Sequence, residues 1–184
     1  MTYSEHYYKS SDGLDLYYRV YGNATDKLPI VCLSGVTRNS GDFHEFAETC
    51  SKDRQVFCLD YRGRGKSDWD PDYKNYNPQT YLGDIFVFLA TAEIEKAVFV
   101  GTSLGGLLTM GLSGLTPQHV AAVVLNDVGP DISDEGGSRI AGYIETDIRY
   151  QTIEDVAAAH YIYQKAVEKG VGTWVKLGGE RPEW

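Results

Sequence analysis

Ala97-Val98-Phe99-Val100-Gly101-Thr102-Ser103-Leu104-Gly105-Gly106-Leu107-Leu108 is the stretch on which the fold turns. An apolar, β-branched run stops at Gly101, and an apolar helical pattern starts three residues later. Between them stands Ser103, with a glycine two residues before it and another two after, the G-x-S-x-G spacing in a strand-turn-helix context. The spacing has a steric cause. A strand that turns at once into a helix forces the residue at the tip into a strained backbone conformation. Side chains two positions away on either side would run into the adjoining strand and helix, so glycine fits there. The tip side chain stands out over the sheet, at a helix N-terminus whose dipole favours developing negative charge. A serine in that place is a candidate nucleophile; a small residue capping the helix is the alternative.

The surrounding chain has 184 residues, the length of one ordinary domain. It is 42% hydrophobic and 23% charged, a globular composition. Its 17 basic and 26 acidic residues give a net charge of −9, which argues against nucleic acid as a partner. No apolar run approaches the roughly 18 residues of a membrane span, so none is expected. Met1-Thr2-Tyr3-Ser4-Glu5-His6 lacks a basic segment followed by an apolar one, so no secretory signal is expected either. Cys32 and Cys58 lie in apolar runs; with Cys50 they read as free thiols of a cytoplasmic protein, and no metal-ligand spacing involves them.

Residues 3–10 and 14–22 alternate at period two around Ser11-Asp12-Gly13, which predicts a β-hairpin. Pro29-Ile30-Val31-Cys32-Leu33 and Gln55-Val56-Phe57-Cys58-Leu59-Asp60 are short continuous apolar runs, the mark of strands buried on both faces. Helices are predicted at about 41–53 with Phe43, Phe46, Ala47 and Cys50 on one face, at about 79–93, and at 104–114; a further strand is predicted from Val120 to Leu125. Strand and helix thus alternate, which implies an α/β fold: a mostly parallel sheet with helices on both faces and the hairpin at one side. Ligands of such sheets sit at the carboxyl ends of the strands, where loops 34–38, 60–67, 101–105 and 126–130 gather. The pattern changes after Pro130. Residues 1–130 read as the core, and 131–184, with a helix from Thr152 to about Lys169, as a helical cap or lid segment.

A nucleophilic serine needs donors aimed at the oxyanion that forms on attack. In this layout one is the backbone N–H after the nucleophile, Leu104; the other comes from the loop after an earlier strand, here Val36, with Gly35 permitting close approach. It also needs a histidine base oriented by a carboxylate. His6 starts the hairpin, His119 precedes its strand at the wrong end of the sheet, His44 falls in a helix with polar neighbours, and His160 falls in the cap helix. Asp127 follows a strand at the right edge and is either that carboxylate or a brace for the loop before Gly129-Pro130. Gly65-Lys66-Ser67 imitates a phosphate loop, but the glycine required five positions earlier is Asp60. Arg62, Arg64 and Lys66 are instead expected to be solvated or paired with Asp60, Asp68 and Asp70. The dinucleotide G-x-G-x-x-G spacing fails at Gly101 as well. No cofactor or metal is expected.

Leu33-Ser34-Gly35-Val36-Thr37-Arg38-Asn39, Asp60-Tyr61-Arg62-Gly63-Arg64-Gly65-Lys66-Ser67, Gly101-Thr102-Ser103-Leu104-Gly105-Gly106 and Leu125-Asn126-Asp127-Val128-Gly129-Pro130 together resemble four successive motifs of the α/β-hydrolase superfamily, in its serine-esterase and enol-lactonase-like subgroup. The resemblance spans about residues 10–145. It implies Ser103 as nucleophile, Val36 and Leu104 as oxyanion donors, and a small carboxylic ester or lactone as substrate. Ser34 stands where the family usually has histidine. A serine at the turn argues against the dehalogenase and epoxide-hydrolase branches, which use aspartate there. Family members continue beyond the cap with two more strand-helix units carrying the acid and the histidine. The chain is therefore expected to be a truncated hydrolase with weak or no activity alone. Its open sheet edge would be covered by a homodimer partner or a separate C-terminal fragment. The alternative is a non-catalytic fragment or ligand-binding protein of the same fold.

Overall fold

The computed structural model describes residues 2–128. Within them six strands form one sheet: β1 (Tyr3–Lys9), β2 (Asp15–Tyr21), β3 (Ile30–Leu33), β4 (Val56–Leu59), β5 (Ala97–Thr102) and β6 (Val120–Asn126). Three α-helices accompany them: α1 (His44–Cys50), α2 (Pro78–Thr91) and α3 (Leu104–Leu115). The strand order is β1-β2-β4-β3-β5-β6. β3, β4, β5 and β6 run parallel, and the β1–β2 hairpin joins antiparallel through β2 against β4. The expected mostly parallel α/β sheet is thus present, with the hairpin at one side.

The two continuous apolar runs behave as their composition demands. All four residues of β3 and all four of β4 are buried, because helices cover both faces of the sheet. On one face Val31, Leu33, Phe57, Leu59 and Phe99 meet Ile85 and Phe88 of α2 and Leu108 and Leu112 of α3. On the other face Cys32, Cys58 and Val100 meet Phe43 and Ala47 of the α1 segment. The three cysteines are free thiols, with Cys32 and Cys58 buried.

One helix differs from expectation. The segment predicted as one helix at 41–53 is a 3₁₀ turn over Ser40–Phe43 followed by α1. The tighter turn rotates Phe46 off the packed face, leaving it 40% exposed while Phe43 and Ala47 are buried. α2 starts at Pro78, where the Asn77 side chain caps the Thr80 N–H at 3.0 Å. The expected helical cap over 131–184 lies outside the described residues.

Register levels the carboxyl ends of the parallel strands. Leu33 pairs with both Leu59 and Gly101, and Gly101 pairs with Leu125. The loops that follow Leu33, Leu59, Thr102 and Asn126 therefore leave the sheet side by side. β6 is the edge strand opposite the hairpin among the described residues, with Val123, Val124 and Leu125 exposed.

Candidate active site

Ser103 joins β5 to α3 with φ 50° and ψ −113°, a region that non-glycine residues enter only when their surroundings force them. The forcing groups are visible. Its N–H donates to the Asn126 carbonyl at 3.0 Å, and its carbonyl accepts from Gly106 and Leu107 at 2.9 and 3.1 Å. The flanking glycines are required by contact. A Cβ on Gly101 would lie 2.6 Å from the Gly106 nitrogen, and one on Gly105 would lie 2.5 Å from the Leu33 carbonyl carbon. α3 thus presses its first turn onto β3. The Ser103 side chain makes no capping hydrogen bond to the helix it precedes, contrary to the capping alternative.

Gly35 passes directly against this turn: a Cβ there would lie 3.7 Å from the Ser103 Cβ. Ser34 is buried; its carbonyl accepts from the Gly105 N–H at 3.0 Å and the Tyr61 hydroxyl at 3.1 Å. Its own hydroxyl has no partner among the described residues. The Gly35 carbonyl accepts from the Arg38 N–H at 3.2 Å, and the Val36 carbonyl from Arg64 Nε at 2.6 Å. Neither the Val36 N–H nor the Leu104 N–H donates to any acceptor among the described residues. Both N–H groups are thus without an acceptor among the described residues, Leu104 directly after the serine and Val36 directly after the Gly35 that packs on it.

The basic loop after β4 departs from its sequence reading. Asp60 is buried and accepts backbone N–H groups, from Ser40 at 2.6 Å and Lys66 at 2.9 Å, in place of a side-chain cation. Arg62 is fully buried. It meets Asp84 of α2 through two bonds, at 2.8 and 2.7 Å, Asp12 of the hairpin turn at 2.8 Å, and Asp70. Of the three expected carboxylates only Asp70 pairs with this loop's cations through its side chain. Lys66 pairs with Glu5, and Asp68 accepts the Asp15 N–H. The Arg62 guanidinium holds the Asp12 carboxyl below the usual carboxylate range.

The described histidines lie away from Ser103. His6 stacks on Tyr18 in the hairpin. His44 bonds the Tyr21 hydroxyl at 3.0 Å and packs on Tyr3, and its side chain is 41% exposed, in keeping with a surface position. His119 bonds the Glu95 carbonyl at 2.7 Å, at the amino end of β6, where its place before the strand puts it. His160 lies outside the described residues. Asp127 stands immediately beyond β6, exposed, with φ 56°. Two surface concavities, one lined by Phe86, Leu89 and His119 and one by Gly22, Ser51 and Lys52, open at the opposite end of the sheet. What the sequence reading missed is the pair of donors from the β4 loop, Tyr61 and Arg64; its only signal was their adjacency to Asp60 and Arg62.

A parallel sheet with helices on both faces, a serine on a strained strand-to-helix turn and a glycine loop against it define the α/β-hydrolase architecture. The chain belongs to the alpha/beta hydrolase fold family, whose model matches residues 29–148. It is 36% identical over 138 residues to a 3-hydroxybutyrate-oligomer hydrolase of Cupriavidus necator, covering 75% of this chain and 47% of that protein. It is 28% identical over 127 residues to an sn-1-specific diacylglycerol lipase of Danio rerio, covering 68% and 39%. A crystal structure of an alpha/beta hydrolase from Novosphingobium aromaticivorans matches with a TM-score of 0.75 and 47% identity, over 79% of this chain and 51% of that one. The chain spans about half the length of the curated relatives it matches. Among the described residues no helix is long and apolar enough to cross a membrane.

Proposed function

We propose that the chain carries the nucleophile half of a serine hydrolase acting on a small carboxylic ester or lactone. The observation that carries this reading is the Ser103 backbone at φ 50°, with its side chain uncommitted to the helix and the Val36 and Leu104 N–H groups without an acceptor among the described residues. Strain at a site that packing over-determines is a mark of function. In this reading Ser103 Oγ attacks the carbonyl carbon and its proton passes to a histidine. The oxyanion is held by the Val36 and Leu104 N–H groups, with the α3 dipole behind them. The relatives are named for oligomers of 3-hydroxybutyrate and for diacylglycerol, both carboxylic esters, and this supports the substrate class.

The base comes from outside the described residues, since His6, His44 and His119 are engaged elsewhere. Asp127 is proposed either as its carboxylate or as a brace for the loop after β6. A chain lacking one triad member keeps only the residual catalysis of its oxyanion donors and binding. The same observation favours a second reading, a non-catalytic protein of this fold. A fluorophosphonate probe with intact-mass detection separates the two. Stoichiometric labelling abolished by Ser103→Ala supports the first reading; no labelling of a chain with intact circular dichroism overturns it. We also propose that β6, the edge strand opposite the hairpin among the described residues, is covered by a second copy or a C-terminal fragment, and that residues 131–184 form a lid. A compact monomer at micromolar concentration in sedimentation velocity overturns the homodimer.

A further inference from the structure

We infer that Arg64 is a positioning residue that sets the oxyanion loop from the neighbouring loop after β4. The inference rests on the reading of Val36 as an oxyanion donor. A planar peptide fixes the direction of each N–H once its carbonyl is fixed. All three carbonyls of Ser34-Gly35-Val36 are committed: Ser34 to Gly105 and Tyr61, Gly35 to Arg38, and Val36 to Arg64. The bond to Gly35 orients the peptide that bears the Val36 N–H, and the bond from Arg64 stops the next peptide from rotating about Val36.

Arg64 is suited to this by what it lacks. Arg38, Arg62 and Lys66 each meet a carboxylate, whereas Arg64 meets none among the described residues. Its Nε donates to the Val36 carbonyl at 2.6 Å and its Nη1 to the Gly63 carbonyl at 2.9 Å. Two fixed carbonyls hold the planar guanidinium, and bonds from a charged donor are the strong ones. Gly63 has φ 68°, a conformation that glycine adopts without steric cost. The half-buried cation also adds positive potential beside the place where negative charge would form.

The test compares Arg64→Met, which keeps the stem and removes the donors, with Arg64→Lys, which keeps the charge on a single donating ammonium group, in the full 184-residue chain. Nitrogen-15 relaxation is read at the Gly35, Val36 and Thr37 amides. Order parameters of about 0.85 in the wild type should fall below about 0.6 in Arg64→Met and recover most of the loss in Arg64→Lys. Fluorophosphonate labelling of Ser103 should slow about 10- to 100-fold in its maximal rate in Arg64→Met, with the half-saturating probe concentration unchanged within about twofold, and Arg64→Lys should restore most of the rate. Wild-type loop order in Arg64→Met overturns the inference, as does an unchanged maximal rate. If the wild type is not labelled, the nucleophile reading falls and the loop-order measurement alone decides the role of Arg64.

Discussion

Gly105→Ala tests whether the close approach of α3 to β3 holds the turn together. The new methyl would sit 2.5 Å from the Leu33 carbonyl carbon and 2.9 Å from the Leu33 Cβ. Carbon atoms rest at about 3.5–4.0 Å, so α3 has to retreat from β3 by about 1 Å. Overpacking of this kind costs about 3 kcal/mol where backbone cannot yield. The same retreat stretches the Gly105-to-Ser34 hydrogen bond, now 3.0 Å, and its loss costs about 1 kcal/mol more. Better helix propensity returns about 1 kcal/mol. The net expectation is a loss of about 3 kcal/mol, read from urea denaturation followed by circular dichroism. Gly83→Ala is the control. Gly83 is exposed within α2 and a Cβ there meets nothing within 4 Å, so that variant should gain about 0.5–1 kcal/mol. A Gly105→Ala variant within about 0.5 kcal/mol of the wild type would refute the steric account of the G-x-S-x-G spacing.

Ser103→Gly relieves a positive φ and should raise stability by about 1 kcal/mol in the same assay while abolishing probe labelling. Arg62→Met leaves Asp12, Asp70 and Asp84 without their common cation; it should cost about 3–5 kcal/mol, and Asp84→Leu in the same chain should recover part of that. The folded Asp12 carboxyl is held below its unfolded value of about 3.9, so its contribution is present above about pH 4 and is lost as pH falls through the folded value. Asp12→Asn removes that contribution, so its urea midpoint should lie below the wild type's at neutral pH and converge with it in acid.

The parts of the fold readable in advance are those written locally. β3, β4 and β5 announce themselves as unbroken apolar runs, and the hairpin as alternation around Ser11-Asp12-Gly13. The Ser103 turn is readable because its steric demands fall on residues two positions away. The Arg62 network is legible only at Asp70, for the opposite reason. Asp84 and Asp12 lie 22 and 50 residues from Arg62, and no periodicity marks a carboxylate as the partner of a cation that far off. Nearby Asp60 was an attractive partner by sequence, yet two backbone N–H groups claim it. Phe46 was assigned to the packed face by helical spacing that a 3₁₀ turn interrupts. The tie from Arg64 to Val36 spans 28 residues and joins two loops, where no pattern operates.

The bond from the Ser103 N–H to the Asn126 carbonyl ties geometry to time. Synthesis delivers Ser103 before any of β6 exists. Until Val120–Asn126 has docked beside β5, the turn lacks the acceptor that restrains its N–H and is held only by its bonds to α3 and its packing on β3. The turn gains this restraint only once the sixth strand is in place. Cleavage or substitution within 120–126 can loosen this turn without touching it.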